Sequence, residues 1–193
     1  MTSSEWRMAW DDNSAAPEAS NGQMWVVEVE TSGALAAAPR VLRCWFHGED
    51  LAVRDDQGVL LWLNVGPYTA YQDGGRGLAE AREDAFDEVM FRHPVPEAAA
   101  LASLQSALAW LGTREPNSPA EEPTKYLGLS ARTTRLSSEP FDDIQIVTDE
   151  ATGRVLQIMA THHVHGQSGV RVTNAALHPV SDEAFEVLES DRT

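Results

Sequence analysis

Residues 41–65 read VLRCWFHGEDLAVRDDQGVLLWLNV, and this stretch decides the fold class. Three apolar runs, at 41–46, 51–54 and 59–65, are parted by two turn clusters, His47-Gly48-Glu49-Asp50 and Asp55-Asp56-Gln57-Gly58. Short apolar runs broken by Asp, Gln and Gly read as strands joined by tight turns. The third run is apolar on both faces, which places it centrally in a sheet. Just upstream, Trp25, Val27 and Val29 share one face, and Glu28 and Glu30 the other. That alternation is the mark of a half-buried antiparallel strand. The closely spaced strands predict an antiparallel meander.

Working outward, 66–77 reads as a loop carrying Pro67, Tyr68, Tyr71 and the Gly74-Gly75 pair. Residues 78–91 read as a helix. Ala81, Ala85, Phe86 and Val89 lie near one face, and Glu80, Glu83, Asp84, Asp87 and Glu88 make the other acidic. A second helix is predicted over 97–111. Leu101, Leu104, Leu108 and Leu111 recur at steps of three and four, giving one buried stripe. Pro94 and Pro96 precede it, Gly112 follows as a C-cap, and Pro116 forbids continuation. Residues 117–125, with Pro119, Glu121, Glu122 and Pro123, read as a linker or long loop. Beyond it, strands at 141–148 and 154–165 flank Asp149-Glu150-Ala151-Thr152-Gly153, a turn closing on a left-handed glycine. Gly166-Gln167-Ser168-Gly169 turns into a strand at 170–175, and Ser181 caps a short helix at 182–188. The N-terminal residues 1–22 lack any sustained period and read as a flexible arm, with Trp6 and Trp10 tucked back onto the domain as the favoured reading and a short docking segment for a partner as the alternative. The expected fold class is α+β: antiparallel meander sheets with two or three helices packed on one face. The arm leads into an α+β domain at 23–116. After the linker, a ββ-β-α block at 126–193 either continues that domain or stands beside it.

Charge narrows the function classes. Thirty acids face fourteen bases among 193 residues, a formal net charge of -16. A nucleic-acid binder needs a basic footprint, and docking on an anionic membrane needs one too. Both are excluded as expectations. Cys44 is the single cysteine, so no intrachain disulfide is possible, and it reads as a small buried hydrophobe. No apolar run reaches bilayer-spanning length, and the N-terminus lacks signal-peptide order, so the expected location is cytoplasmic. Thirteen arginines, one lysine and abundant alanine suit a GC-rich bacterial or phage genome.

Few residues carry chemistry. Thr161-His162-His163-Val164-His165 holds three of the six histidines. On a strand, His163 and His165 would share a face, where two imidazoles plus His178 or an acid could hold Zn or Fe. The competing reading is a polar strand end entering a glycine-rich turn. Gly74-Gly75-Arg76-Gly77 matches neither a P-loop nor a dinucleotide fingerprint, and Gly166-Gln167-Ser168-Gly169 falls one residue short of a nucleophile elbow. The helix acids lack the loop spacing of a calcium site. The chain leans away from enzyme chemistry.

From 42 to 116, the strand Gly58-Val59-Leu60-Leu61-Trp62-Leu63, the polar loop with Tyr68 and Gly74, and Val95-Pro96 entering a helix resemble the Imm1-type immunity proteins of bacterial polymorphic toxin systems. Ala107-Leu108-Ala109-Trp110-Leu111 and Thr113-Arg114-Glu115-Pro116 complete the likeness. The resemblance departs from the family in lacking an aromatic after Pro116, and it leaves everything from Tyr126 onward unmatched. It implies an α+β inhibitor that occludes a toxin and carries no catalytic residues. The leading expectation is thus a non-enzymatic, cytoplasmic, acidic interaction protein that binds a basic protein. Its contact candidates are Trp6, Trp10, Tyr68, Tyr71, Glu80, Glu83, Asp84, Asp87 and Glu88. Alternatives are a metal-binding domain or small metal-dependent enzyme using the 162–165 histidines, a phage anti-defence protein imitating nucleic acid, and a structural subunit.

Overall fold

The structure, a computed structural model, describes residues 22–33, 40–48, 50–73, 77–82, 95–113 and 120–192. Among these, eleven antiparallel strands dominate: β1 (Gln23–Ser32), β2 (Val41–His47), β3 (Asp50–Asp55), β4 (Leu60–Val65), β5 (Tyr68–Gln72), β6 (Leu78–Arg82), β7 (Ala120–Tyr126), β8 (Leu129–Ser138), β9 (Phe141–Asp149), β10 (Val155–His162) and β11 (Gly166–Pro179). The described helices are only α1 (Pro96–Ala99), α2 (Leu104–Leu111) and two 3-10 turns, Asp182–Phe185 and Glu189–Arg192. The expected α+β class is therefore corrected to a nearly all-strand, antiparallel one.

Several local readings change with it. The loop expected at 66–77 contains β5, and the helix expected at 78–91 begins as β6. The rest of that segment lies outside the described residues, as does the 1–21 arm. The linker expected at 117–125 holds β7 from Ala120. The helix expected at 97–111 is broken in two. Ser103 takes an extended conformation and its hydroxyl accepts the Ser106 amide, starting a second helix inside the leucine stripe. Gly112 does cap it in the left-handed region, at φ 70°. The C-terminal helix is a single 3-10 turn, and Ser181 makes no side-chain cap.

The chain divides into two compact units, and β1 and β11 each contribute to both. Among the described residues, the helix-capped unit holds 29–33, 40, 97–113 and 120–174. Its strands run in the order β1-β11-β10-β9-β8-β7. Register places Leu136, Ile144 and Ala160 in one row, with Thr134, Ile146, Ile158 and Val170 in the next. These side chains share a face, and α2 packs on it over β9 and β10. Leu101, Ala107, Leu108 and Leu111 bury against that face, and the Val155 amide donates to the Leu101 carbonyl at 3.0 Å. Each fully buried Leu or Ile contributes about 1.5–3 kcal/mol. Arg40 pairs with the buried Glu97 of α1, which fixes where the helical segment starts. The β7–β8 turn is Leu127-Gly128, both at positive φ (51° and 82°), as a two-residue type I′ hairpin requires. The sheet coils enough for the Tyr126 hydroxyl, near the end of β7, to donate to the Val172 carbonyl on β11 at 2.9 Å.

The second unit holds 22–28, 41–48, 50–73, 77–82, 95–96 and 175–192. Its strands run β6-β5-β4-β3-β2-β1. Here β3 and β4 are buried on both faces. One face carries Trp62 against Tyr71, centroids 6.2 Å apart. The other gathers Ala52, Leu60, Leu63 and Ala70, with Trp45, Tyr68, Phe185 and Val187 packed against them. Phe185 and Val187 belong to the C-terminal segment, which lies over the sheet as a strap. Asp191 pins it: its Oδ1 takes the Arg54 guanidinium at 2.8 Å and the Leu60 amide at 3.1 Å, while Oδ2 takes the Leu188 amide at 2.8 Å. Arg54 also donates to the carbonyls of Gly58 and Glu186. Both ends of this ion pair are buried.

Candidate functional site

A cleft of about 290 Å³ opens in the helix-capped unit, lined by Leu104, Glu121, Arg132, Thr134, Thr148, Asp149, Glu150 and Gly153. Strand register explains its chemistry. Arg132 pairs across from Thr148, and Thr134 from Ile146, on the same face that buries Ile144 and Ile158. The apolar face thus ends in a polar mouth beside Leu104, the first residue of α2.

Arg132 spans the mouth. Its Nη1 donates to Glu121 of β7 at 2.7 Å, and its Nη2 to Glu150 of the β9–β10 turn at 3.4 Å. Hydrogen bonding to Glu121, reinforced by that carboxylate's charge and then by Glu150, raises the Arg132 pKa above its ordinary value. Asp149 is buried and spends Oδ2 on the Thr152 amide and hydroxyl, at 3.0 and 2.5 Å. Gly153, at φ 68°, closes that turn in the left-handed region, as the sequence predicts. Next to it Arg154 is buried, and burial pushes its pKa down to about 10, so it stays protonated at neutral pH. On the cleft wall, the Thr148 Oγ1 is buried and makes no hydrogen bond. The lining therefore offers three carboxylates, one arginine held between two of them, and one hydroxyl with bonding capacity to spare. None of Glu121, Arg132, Thr148 and Glu150 stands out in the sequence as a site residue. The faint signal is Tyr126-Leu127-Gly128-Leu129, a hairpin turn that would have folded Glu121 back towards Arg132.

The sequence-derived candidates fall elsewhere. Tyr71 is only 7% exposed and packs on Trp62, and Tyr68 is half-buried against the apolar cluster under the strap. Glu80 is exposed on β6. Trp6, Trp10, Glu83, Asp84, Asp87 and Glu88 lie outside the described residues.

The strand geometry expected for the histidines does not hold. β10 ends at His162, so His163 and His165 sit in a turn and the strand alternation that would align them does not apply. His162 spends Nδ1 accepting the Val164 and His165 amides, and His163 Nδ1 lies 2.7 Å from the Pro140 carbonyl. Among the described residues no group of three or more His, Cys, Asp or Glu is arranged to hold a metal ion. His178 is exposed on β11, in the second unit. Several of the described acids are engaged rather than open. Glu28, Glu30, Glu97, Glu121, Glu150 and Asp191 are all engaged by arginines. Among the described residues no helix is long and apolar enough to cross a membrane.

No family model matches the chain, and no curated protein matches it in sequence. Solved structures do share its fold. An uncharacterized conserved protein from Thermus thermophilus superposes with a TM-score of 0.50 at 8% identity, covering 98% of this chain and 95% of that one. A chain of the Pseudomonas aeruginosa MucA/MucB complex superposes with a TM-score of 0.51 at 11% identity. It covers 94% of this chain, which in turn spans 60% of that one. A putative outer membrane lipoprotein-sorting protein domain from Vibrio parahaemolyticus matches more loosely, with a TM-score of 0.27 at 9% identity and 94% coverage of both chains. At these identities the likeness is one of fold. It replaces the Imm1 resemblance and the toxin-occluding function drawn from it, because the folds that superpose on this chain are those of the Thermus protein and the MucA/MucB chain. The cytoplasmic expectation finds no support in these neighbours and is withdrawn.

Proposed function

We propose that this chain is a partner-binding domain that takes a basic segment of another protein, with the cleft of the helix-capped unit as the seat for one lysine or arginine side chain. The observation that carries the proposal is the cleft's chemistry. Glu121, Asp149 and Glu150 outweigh Arg132, and the Thr148 hydroxyl is buried beside them with no hydrogen bond made. A cationic head entering the mouth would meet a carboxylate excess and supply a donor to that hydroxyl, while its aliphatic stem lies along Leu104. The chain's charge of -16 favours encounter with a basic partner at low salt. The fold's likeness to a chain of the MucA/MucB complex supports a protein as the occupant.

The test is an NMR titration of the full chain with blocked Gly-Lys-Gly and Gly-Arg-Gly peptides, with blocked Gly-Gly-Gly as control. Expected are shifts at Thr148, Asp149, Glu150 and Gly153 that fade with added salt and weaken in Glu150→Gln. Shifts that appear equally with the uncharged peptide, or no shifts at about millimolar peptide, would sink the reading.

A further inference from the structure

We infer that the turn between β10 and β11 is an acid-sensitive element, locked by the unprotonated Nδ1 of His162 and released when that imidazole takes up a proton. This is independent of the cleft reading. The turn has three residues, His163, Val164 and His165. The Val164 amide donates to His162 Nδ1 at 3.0 Å and the His165 amide donates to the same nitrogen at 3.3 Å. An imidazole nitrogen accepts only while it carries no proton, so these two bonds place the ring proton on Nε2. An imidazolium bears N–H on both nitrogens. Protonation would set an N–H against two backbone N–H groups, and both turn bonds would be lost together.

The surroundings make that proton unwelcome. His165 lies 4.5 Å from His162 between ring centroids, and His163 stacks at 4.7 Å. Phe141 presents an edge-on ring at 5.7 Å. From β9, Asp142 favours the charged form. Desolvation first, then the charges of His165 and His163, outweigh it and hold the His162 pKa below the ordinary histidine value. A group depressed on folding contributes stability above its unfolded pKa, and that contribution disappears as pH falls through the folded one. The turn is therefore ordered at neutral pH and loosens on the acid side, altering the presentation of Val164, which is 68% exposed at its tip.

The experiment is amide hydrogen exchange on the full chain, read at Val164 and His165 as protection factors corrected for intrinsic rate, at about pH 7.5 and about pH 5. The wild-type chain is expected to lose protection at these two amides by about tenfold on acidification, while Ile144 and Ile158 stay protected. His162→Asn sets an amide oxygen where Nδ1 stood, and it does not titrate. In that variant, protection at Val164 and His165 should hold at both pH values. The inference is overturned if wild-type protection is unchanged between the two conditions, or if His162→Asn loses protection on acidification as the wild type does.

Discussion

The helix-capped unit and the second unit both bury one sheet face under a short non-strand segment, but by different physics. Over β9 and β10 the cover is α2 with Leu101, Leu108 and Leu111, an apolar contact that depends on area and shape. Over β3 and β4 the cover is the C-terminal strap, and the apolar side chains it lays on the sheet, Phe185 and Val187, are anchored by a buried carboxylate. The difference is one of tolerance. Dispersion and hydrophobic burial decline gradually as atoms are removed. A buried ion pair fails abruptly, because removing one partner leaves the other charged and desolvated.

Four substitutions at three positions sharpen that contrast, beginning with the largest effect. Asp191→Ala strips the buried Arg54 of its counter-charge and the Leu60 and Leu188 amides of their acceptor. It should cost about 3–5 kcal/mol in chemical denaturation. Proteolysis should then begin in the strap. Full stability in this variant would break the comparison outright. Leu101→Ala, in the other unit, should cost about 2–5 kcal/mol, while Leu101→Met should cost less than about 1.5 kcal/mol. If methionine were as damaging as alanine, the apolar cover would not be graded and the contrast would weaken. The smallest effect is a gain. Leu127 sits in the left-handed region at φ 51° and is half-exposed. Leu127→Asn should stabilise by about 0.5–1 kcal/mol, raising the denaturation midpoint without touching either cover.

The sequence reading succeeds where a segment carries its own pattern. The alternation of Trp25, Val27 and Val29, the two-faced apolar run at 59–65 and the Asp149–Gly153 turn all correspond to what the structure contains. It fails where local chemistry and distant pairing disagree. Gly66, Pro67 and Gly74 make 66–77 look like a loop, yet Thr69 and Ala70 are buried between neighbouring strands. Pro123 and its flanking acids make 117–125 look like a linker, yet β8 holds β7 in register from Ala120 to Tyr126. Leu101 to Leu111 keeps one helical period through a break, because the Ser103 cap restarts the helix without shifting its buried face. The cleft was not legible because Glu121, Arg132 and Glu150 come together only through three strands and a turn. No spacing along the chain encodes that pairing.

Strand β7 has a consequence for how copies of this chain behave towards one another. It ends the order of strands in its unit and is exposed over most of its length, so its outer row of backbone groups could template a strand from another molecule. Pro123 removes one donor from that row, and Glu121 and Glu122 would set like charges against like in a symmetric pairing. The same residues that disguise β7 as a linker thus act as gatekeepers against edge-to-edge aggregation, so the strand can stay uncovered without becoming sticky.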